Sequence, residues 1–164
     1  MNTFPKSEKS GITVHEFKDT DRLDVLRIEG ESFTAPWTQR MFESFWASPS
    51  GRCFVARKND ALCGYICIYT VPGEPETSNG DAEIANIAVD IRYRRMGVGK
   101  MLISKALEFA RENACGDIFL EVRRSNISAA ALYCKLGFYQ YGVRKNYYTK
   151  PKEDALLMSR KIGR

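Results

Sequence analysis

The chain has 164 residues, of which 44% are hydrophobic and 27% are charged. This length supports one hydrophobic core but not two independent ones, and the composition excludes a disordered chain. The formal net charge of +5 permits an anionic partner such as a nucleotide, an acidic surface or ribosomal RNA.

The N-terminus and the cysteines favour a cytoplasmic protein. Residues 1–10 form a polar tail without the apolar stretch of a secretory signal, and the longest apolar run, 61–69, is too short to span a membrane. The five cysteines lack a C-x-x-C spacing, and His15 is the one histidine. We therefore expect reduced thiols, no metal site and one folded domain over 11–162.

The N-terminal third predicts two helices followed by a β-hairpin. Residues 21–33 are predicted to form a helix, because Leu23, Leu26 and Phe33 have near-helical spacing. Thr38 is the expected cap of a second helix. Its apolar stripe is formed by Met41, Phe42, Phe45 and Trp46. Two β-rich runs, 52–58 and 62–69, are separated by Asn59 and Asp60, which indicates a hairpin.

The rest of the chain alternates strands and helices. Prolines and glycines over 71–80 predict a loop, and residues 81–89 are predicted to form a strand. The periodicity of the apolar residues that follow predicts a helix that begins near Gly97. A strand over 117–122 precedes a helix that Asn126 caps and Gly137 ends. We expect two last strands, 138–143 and 155–161, to flank a loop over 144–154.

A glycine turn, R-x-x-G-x-G from Arg94 to Gly99, connects a predicted strand to a predicted helix. Its free N–H groups and the helix dipole favour a phosphate ligand. A P-loop would need glycine at Arg94 and serine or threonine at Met101, and a dinucleotide fingerprint would need glycine at Leu102. Both are excluded, which leaves another phosphate loop or a turn that only permits tight packing.

The glycine turn resembles the acetyl-coenzyme A loop of the GNAT (Gcn5-related) N-acetyltransferases. The segments L-E-V-R at 120–123, S-N at 125–126, A-L-Y at 131–133 and L-G-F at 136–138 follow in that family's order and spacing. N-I-A-V at 86–89 and N-Y-Y at 146–148 resemble the RimI-like branch, the ribosomal-protein-alanine N-acetyltransferases. The resemblance covers 11–162. It implies an α/β GNAT fold, a single domain whose mixed, mostly antiparallel sheet is splayed around acetyl-coenzyme A with flanking helices.

The resemblance also implies where acetyl-coenzyme A binds. Val89 would lie beside the acetyl carbonyl, although it could be only a core residue, and Asn126 would contact the pantetheine arm, although it could be only a helix cap. The implied cofactor contacts are Ile87, Ala88, Val89, Arg94, Arg95, Met96, Gly97, Val98, Gly99, Lys100, Asn126 and Tyr133.

Acetylation of an amine requires a neutral amine, a stabilised oxyanion and a proton for the departing thiolate. The resemblance implies that Glu121 is the general base and Tyr133 the general acid. Strand parity adds Glu83, which shares a face with the residues two, four and six positions further on unless a bulge intervenes. Its carboxylate is then partly buried, as a second candidate base, or it is a sheet-edge carboxylate paired with lysine or arginine.

Tyr147 and Tyr148 match tyrosines that, in the family, close over a peptide N-terminus together with the loop from Phe33 to Trp37. Cross-strand packing is the alternative role of the pair. The expected reaction is direct transfer from acetyl-coenzyme A to the N-terminal α-amine of a protein, foremost the N-terminal alanine of a small-subunit ribosomal protein. It requires neither a metal nor direct nucleic-acid binding.

Two other functions stay open at this point. One is acetylation of a small amine, such as a polyamine, an antibiotic or a free amino acid. The other is a non-catalytic module that binds coenzyme A or associates with the ribosome. A covalent mechanism through Cys134 is set aside, because no histidine lies near it in the proposed site to activate the thiol.

Overall fold

The computed structural model describes residues 11–73 and 80–163, so the predicted tail 1–10 and part of the predicted loop 71–80 lie outside the described residues. The main elements, in chain order, are β1 (Ile12–Glu16), α1 (Arg22–Ser32), α2 (Gln39–Trp46), β2 (Gly51–Lys58), β3 (Ala61–Val71), β4 (Asp81–Val89), α3 (Val98–Glu112), β5 (Asp117–Arg123), α4 (Ile127–Lys135), β6 (Tyr139–Thr149) and β7 (Lys152–Lys161). Short 3-10 helices, Asp19–Asp21 and Ile91–Tyr93, precede α1 and follow β4.

The seven strands form one mixed sheet in the order β1-β2-β3-β4-β5-β7-β6. All neighbours are antiparallel except β4 and β5. These two are paired in parallel only where Ala82–Ile84 lie opposite Ile118–Leu120. Beyond these residues β4 and β5 do not pair, so the sheet opens into a cleft. The expected splayed α/β fold is confirmed.

Helices cover both faces of the sheet. Helix α3, whose buried stripe includes Leu102, Ile103 and Ala106, packs against strands on one face. On the other face α1 and α2 contribute Val25, Ile28 and Phe42. Each face buries apolar surface that would otherwise contact water, at roughly 25 cal/mol per Å². The α3 face includes residues from strands on both sides of the cleft, whereas the α1–α2 face covers β2, β3 and β4.

The boundaries predicted for most elements are confirmed. Thr38 caps α2 by accepting a hydrogen bond from the Met41 N–H, and Asn126 caps α4 by accepting one from the Ala129 N–H. Helix α3 begins immediately after Gly97, which adopts a left-handed backbone with φ +83°. Gly137 has φ +84°, as expected of the residue that ends a helix.

Two predictions were wrong in ways that matter for the site. The buried face of α1 carries Val25 and Ile28, whereas Leu23 is 80% exposed. Residues 144–154 are not a loop, because β6 extends to Thr149 and a two-residue turn leads into β7. β6 is bulged between Arg144 and Tyr148, where Asn146 has φ +53°. A bulged strand does not show the regular alternation of side chains by which a strand is predicted.

A second bulge lies in β4. Cys67 pairs with Asn86 and Ile68 with Ile84, so Ala85 has no partner on β3. The bulge reverses the alternation of side chains between the two faces. The exception that the prediction for Glu83 allowed, an intervening bulge, is therefore present, and Glu83 does not share a face with Ile87. Glu83 nonetheless remains partly buried, at the edge of the cleft.

Candidate active site

A cavity of about 920 Å³ occupies the cleft where β4 and β5 diverge. Its walls come from β3, β4, β5, α1, α2, α4, β6 and the loops between them. Among the predicted site residues, those that line it are Phe33, Trp37, Glu83, Ile87, Glu121, Asn126, Tyr133, Tyr147 and Tyr148. The structure thus brings the three proposed proton-transfer residues and all four proposed substrate contacts to one space.

The remaining predicted cofactor residues lie beyond this cavity, along the end of β4 and the start of α3. They are Ala88, Val89, Arg94, Arg95, Met96, Gly97, Val98, Gly99 and Lys100. A cosubstrate as long as acetyl-coenzyme A could reach both regions. Ile87 and Val89 lie two residues apart on the part of β4 that is not paired with β5, so this open edge connects the cavity to the start of α3.

The turn before α3 fits an anionic group. The first-turn N–H groups of Val98, Gly99 and Lys100 have no intrahelical acceptor, and they lie at the positive end of the helix dipole. Gly97 is required by its positive φ rather than by crowding, because a Cβ there would meet nothing within 4 Å. Gly99 packs closely, because a Cβ there would lie 3.1 Å from the end of the Leu132 side chain, which would have to shift.

The approach to that turn is held by an ion network. The Asp90 side chain is fully buried and accepts hydrogen bonds from the N–H and the guanidinium of Arg92 and from the guanidinium of Arg27. These hydrogen bonds, first that of Arg92, hold the pKa of Asp90 well below its usual range. The Arg94 guanidinium adds a 3.2 Å hydrogen bond to the Val89 carbonyl. The backbone between β4 and α3 is fixed in this way.

Glu121 lies on β5 and projects into the cavity, with 22% of its side chain exposed. The guanidinium of Arg144 lies 2.9 Å from its carboxylate. Tyr147 lies beside both groups: burial, followed by the negative charge of Glu121, raises the pKa of this phenol, while Arg144 opposes that rise. A carboxylate in this position is placed to accept a proton once its cationic partner is exchanged.

Tyr133 lies on α4, 6% exposed, with its ring 5.9 Å from that of Phe138. Burial, followed by the proximity of Tyr148, raises the pKa of Tyr133 to about 12. The phenol therefore keeps its proton throughout the neutral and mildly alkaline range. A buried, protonated hydroxyl at the cavity wall is suited to donate a proton.

Tyr147 and Tyr148 are adjacent in sequence, yet both line the cavity. Neighbouring residues of a regular strand point to opposite faces, and the β6 bulge removes that constraint. The two rings meet edge to face at 5.1 Å, and the Arg123 guanidinium lies 4.0 Å from the Tyr148 ring centre. The two rings pack on each other and line the cavity, whereas their contact with a substrate remains a prediction.

The two loops on the open side of the cavity contact each other. The Thr34 hydroxyl, between α1 and α2, donates a 2.6 Å hydrogen bond to the Lys150 carbonyl in the turn between β6 and β7. Arg123 donates to the carbonyls of Lys150 and Pro151, and its ion pair with Glu153 anchors the same turn. These contacts join the segment between α1 and α2 to the turn between β6 and β7, beside the cavity.

Three residues of the site were not singled out by sequence reasoning: Glu29 and Tyr69, which line the cavity, and Arg144, which is paired with Glu121 beside it. Tyr69 lies directly opposite Glu83 in the pairing of β3 with β4, which could have been found from the register of these two strands. Burial, together with the Glu83 carboxylate, raises the pKa of Tyr69. Glu29 carried a weaker signal, a charged residue on the same helix face as Val25 and Ile28. Arg144 carried no signal, because the predicted loop hid its strand position.

No helix within the described residues is long and apolar enough to cross a membrane. Among the same residues, 11–73 and 80–163, no cluster of three or more histidine, cysteine, aspartate or glutamate side chains is arranged to hold a metal ion.

Comparisons with known proteins agree with this geometry. Residues 22–138 match the model of the acetyltransferase (GNAT) family. The chain is 31% identical over 156 residues, 92% of its length and 98% of the relative's, to the [ribosomal protein bS18]-alanine N-acetyltransferase of Escherichia coli K12. It is 32% identical over 154 residues, 93% of its length and 94% of the relative's, to N-alpha-acetyltransferase RimI of Mycobacterium tuberculosis.

The fold matches solved structures over nearly the whole chain. The crystal structure of the ribosomal-protein-S18-alanine N-acetyltransferase from Escherichia coli superposes with a TM-score of 0.82 at 30% identity, covering 93% of this chain and 95% of that one. Ard1 from Thermoplasma volcanium superposes with a TM-score of 0.81 at 31% identity, covering 94% and 99%.

Proposed function

This chain belongs to the GNAT family of acetyltransferases, and we propose that it transfers the acetyl group of acetyl-coenzyme A to the N-terminal α-amine of a protein. The foremost acceptor is the N-terminal alanine of ribosomal protein bS18, which is the substrate in the name of the Escherichia coli relative. This acceptor places the reaction in the cytoplasm and requires neither a membrane nor direct contact with nucleic acid.

The observation that carries the proposal is the hydrogen bond from Thr34 to the Lys150 carbonyl. Because this bond joins the two segments beside the cavity, we infer that an acceptor enters end-on, as a chain terminus does. A lysine in the middle of a folded chain would need an open groove. Phe33 and Trp37 on one loop, and Tyr147 and Tyr148 on the strand that leads to the other, form walls suited to an extended backbone.

The chemistry of the acceptor points the same way. An α-amine has a pKa of about 8 and a lysine side chain about 10.4, so near neutral pH a much larger fraction of termini is neutral. Glu121, assisted by Glu83, is placed to take the remaining proton from the ammonium. A base of ordinary strength suffices for a terminus, whereas a lysine would demand a stronger one.

The proposed transfer is direct, without an acyl-enzyme. The neutral amine nitrogen attacks the acetyl carbonyl carbon, the carbon–sulfur bond breaks, and the departing thiolate receives the hydroxyl proton of Tyr133. The amine proton passes to Glu121. Asn126 keeps its side-chain N–H groups available to the cosubstrate, because its cap bond to Ala129 uses only the amide oxygen.

The test is an acceptor panel with acetyl-coenzyme A and mass-spectrometric localisation of the acetyl group. The panel holds an alanine-initiated peptide, the same peptide with a blocked terminus and an internal lysine, and spermidine. Acetylation of the first alone is the expected result. Preferential use of the blocked peptide or of spermidine refutes the proposal in favour of a lysine or small-amine acetyltransferase, and binding without turnover would indicate a non-catalytic module.

A further inference from the structure

Glu29 is a carboxylate buried in the wall of the cavity. It lies near the end of α1, is only 1% exposed, and belongs to the face that carries the fully buried Val25 and Ile28. A charged group at such a position is costly unless its oxygens are well paired. The buried position of this carboxylate among apolar residues therefore depends on its hydrogen-bond partners.

The partners of this carboxylate come from three separate elements. One oxygen accepts a 2.6 Å hydrogen bond from the backbone N–H of Trp37, in the loop between α1 and α2. The other oxygen accepts from the hydroxyl of Tyr65 on β3 and, at 3.1 Å, from the amide of Asn86 on β4. Hydrogen bonds to a charged acceptor are stronger than neutral ones and fix geometry closely.

All three donors to Glu29 are neutral, which distinguishes it from the other buried carboxylates. Asp21 is paired with Arg57, and Asp90 with Arg27 and Arg92. Within the described residues, none of the ion pairs includes Glu29. Its role is therefore not to neutralise a buried cation but to hold backbone and side-chain donors at fixed places.

Two of the residues that Glu29 holds, Trp37 and Asn86, line the cavity. The Trp37 ring lines the acceptor side and packs at 5.2 Å from Phe42 and 5.7 Å from Phe45. Asn86 follows the bulged residue Ala85 on β4, beside the edge along which the acetyl group must lie. Glu29 thus ties the loop between α1 and α2 to β4 within the cavity lining.

We propose that Glu29 is a positioning residue that sets the size of the slot for the first side chain of the acceptor, by fixing Trp37 against the bulge of β4. The inference rests on the proposed function. Loss of this anchor frees Trp37 to move, so first residues larger than alanine should then enter more easily. An apolar pocket discriminates between side chains of different size by roughly 10–200-fold.

The test compares Glu29→Gln with Asp21→Asn, a matched loss of a buried carboxylate outside the cavity lining. Two peptides that differ only in beginning with alanine or leucine are assayed for kcat/KM. A glutamine has one acceptor oxygen, whereas the three donors to Glu29 use two, so at least one donor loses its acceptor. We therefore expect the alanine preference, the ratio of kcat/KM for the alanine peptide to that for the leucine peptide, to fall by about 10-fold in Glu29→Gln. Calorimetry should show acetyl-coenzyme A affinity within about 2-fold of wild type, and Asp21→Asn should keep the preference whatever its melting temperature.

An unchanged alanine preference in folded Glu29→Gln, or an equal loss in Asp21→Asn, overturns the assignment. If Glu29→Gln does not fold, Tyr65→Phe is the replacement variant, because it removes one donor to Glu29 and retains the carboxylate. An unchanged alanine preference in Tyr65→Phe would equally overturn the assignment. A wild-type protein that acetylates no peptide terminus refutes the proposed function itself, whereas an active wild type with an unaltered Glu29→Gln preference refutes only the role of Glu29.

Discussion

The guanidinium of Arg144 lies 2.9 Å from the carboxylate of Glu121. The first group comes from the bulged part of β6 and the second from β5, so the pair spans the strand β7 that separates them in the sheet. An acceptor ammonium that reaches Glu121 must replace this guanidinium. Because Arg144 is 53% exposed, water can readily solvate it when it is displaced.

Arg144→Met should therefore improve peptide binding. The variant keeps an unbranched side chain of similar reach, but it removes the guanidinium from the Tyr147 ring and leaves Glu121 without its competing cation. A half-exposed pair is worth at most about 1 kcal/mol, so KM for an alanine-initiated peptide should fall by about 2-fold to 5-fold. Arg124→Met, which removes a 3.5 Å pair with Asp154 outside the cavity lining, is the control. A raised KM in Arg144→Met would mean that Arg144 binds the acceptor instead.

Glu121→Gln should lower kcat by about 10²-fold with little change in the affinity for acetyl-coenzyme A, because it removes a base and preserves shape. Glu83→Gln should have a smaller effect. Steady-state rates at saturating peptide, measured alongside direct cosubstrate binding, distinguish the two carboxylates. If Glu83→Gln proves the more damaging, the roles of the two residues are reversed.

The raised pKa of Tyr133, about 12, predicts the shape of the pH profile. A donor with a raised pKa is fully protonated below its ordinary value of about 10 and loses its proton only as the pH passes its folded-state value. The rate should therefore rise through about pH 8, as the acceptor amine becomes neutral, and show no fall before about pH 10. Tyr133→Phe should lower kcat by about 10²-fold across this range. A wild-type profile that falls between pH 8.5 and 9.5, roughly, would exclude this tyrosine as the acid.

Gly97 allows the phosphate loop to be tested by charge alone. Its positive φ strains most side chains, but asparagine and aspartate tolerate this conformation better than others and also cap helices. Gly97→Asp should bind acetyl-coenzyme A at least about 10-fold more weakly than Gly97→Asn, because only the former repels phosphate at the start of α3. Isothermal titration at two salt concentrations measures this difference, which should shrink as salt rises. Equal affinities would contradict the loop assignment.

Much of the fold could be predicted because its determinants are local. The turn at Asn59 and Asp60, the caps Thr38 and Asn126, and the periodicity of α3 each depend on residues within one or two helical turns. The choice of Leu23 for the buried face of α1 failed for a different reason. The Arg22–Ser32 helix has weak amphipathicity, and contacts with β3 and β4 decide which side is covered.

The sequence by itself determined the family motif and the glycine turn, because these depend on residue type and short-range spacing, and the family resemblance then implied the proposed acid and base. Only the tertiary structure decided the two bulges, at Ala85 and around Asn146, which reverse the facing of Glu83 and turn Tyr147 and Tyr148 to the same cavity. A bulge is defined by register against a partner strand, and no pattern along one strand specifies it. The buried position of Glu29 was decided in the same way, because its three hydrogen-bond donors lie 8, 36 and 57 residues away along the chain.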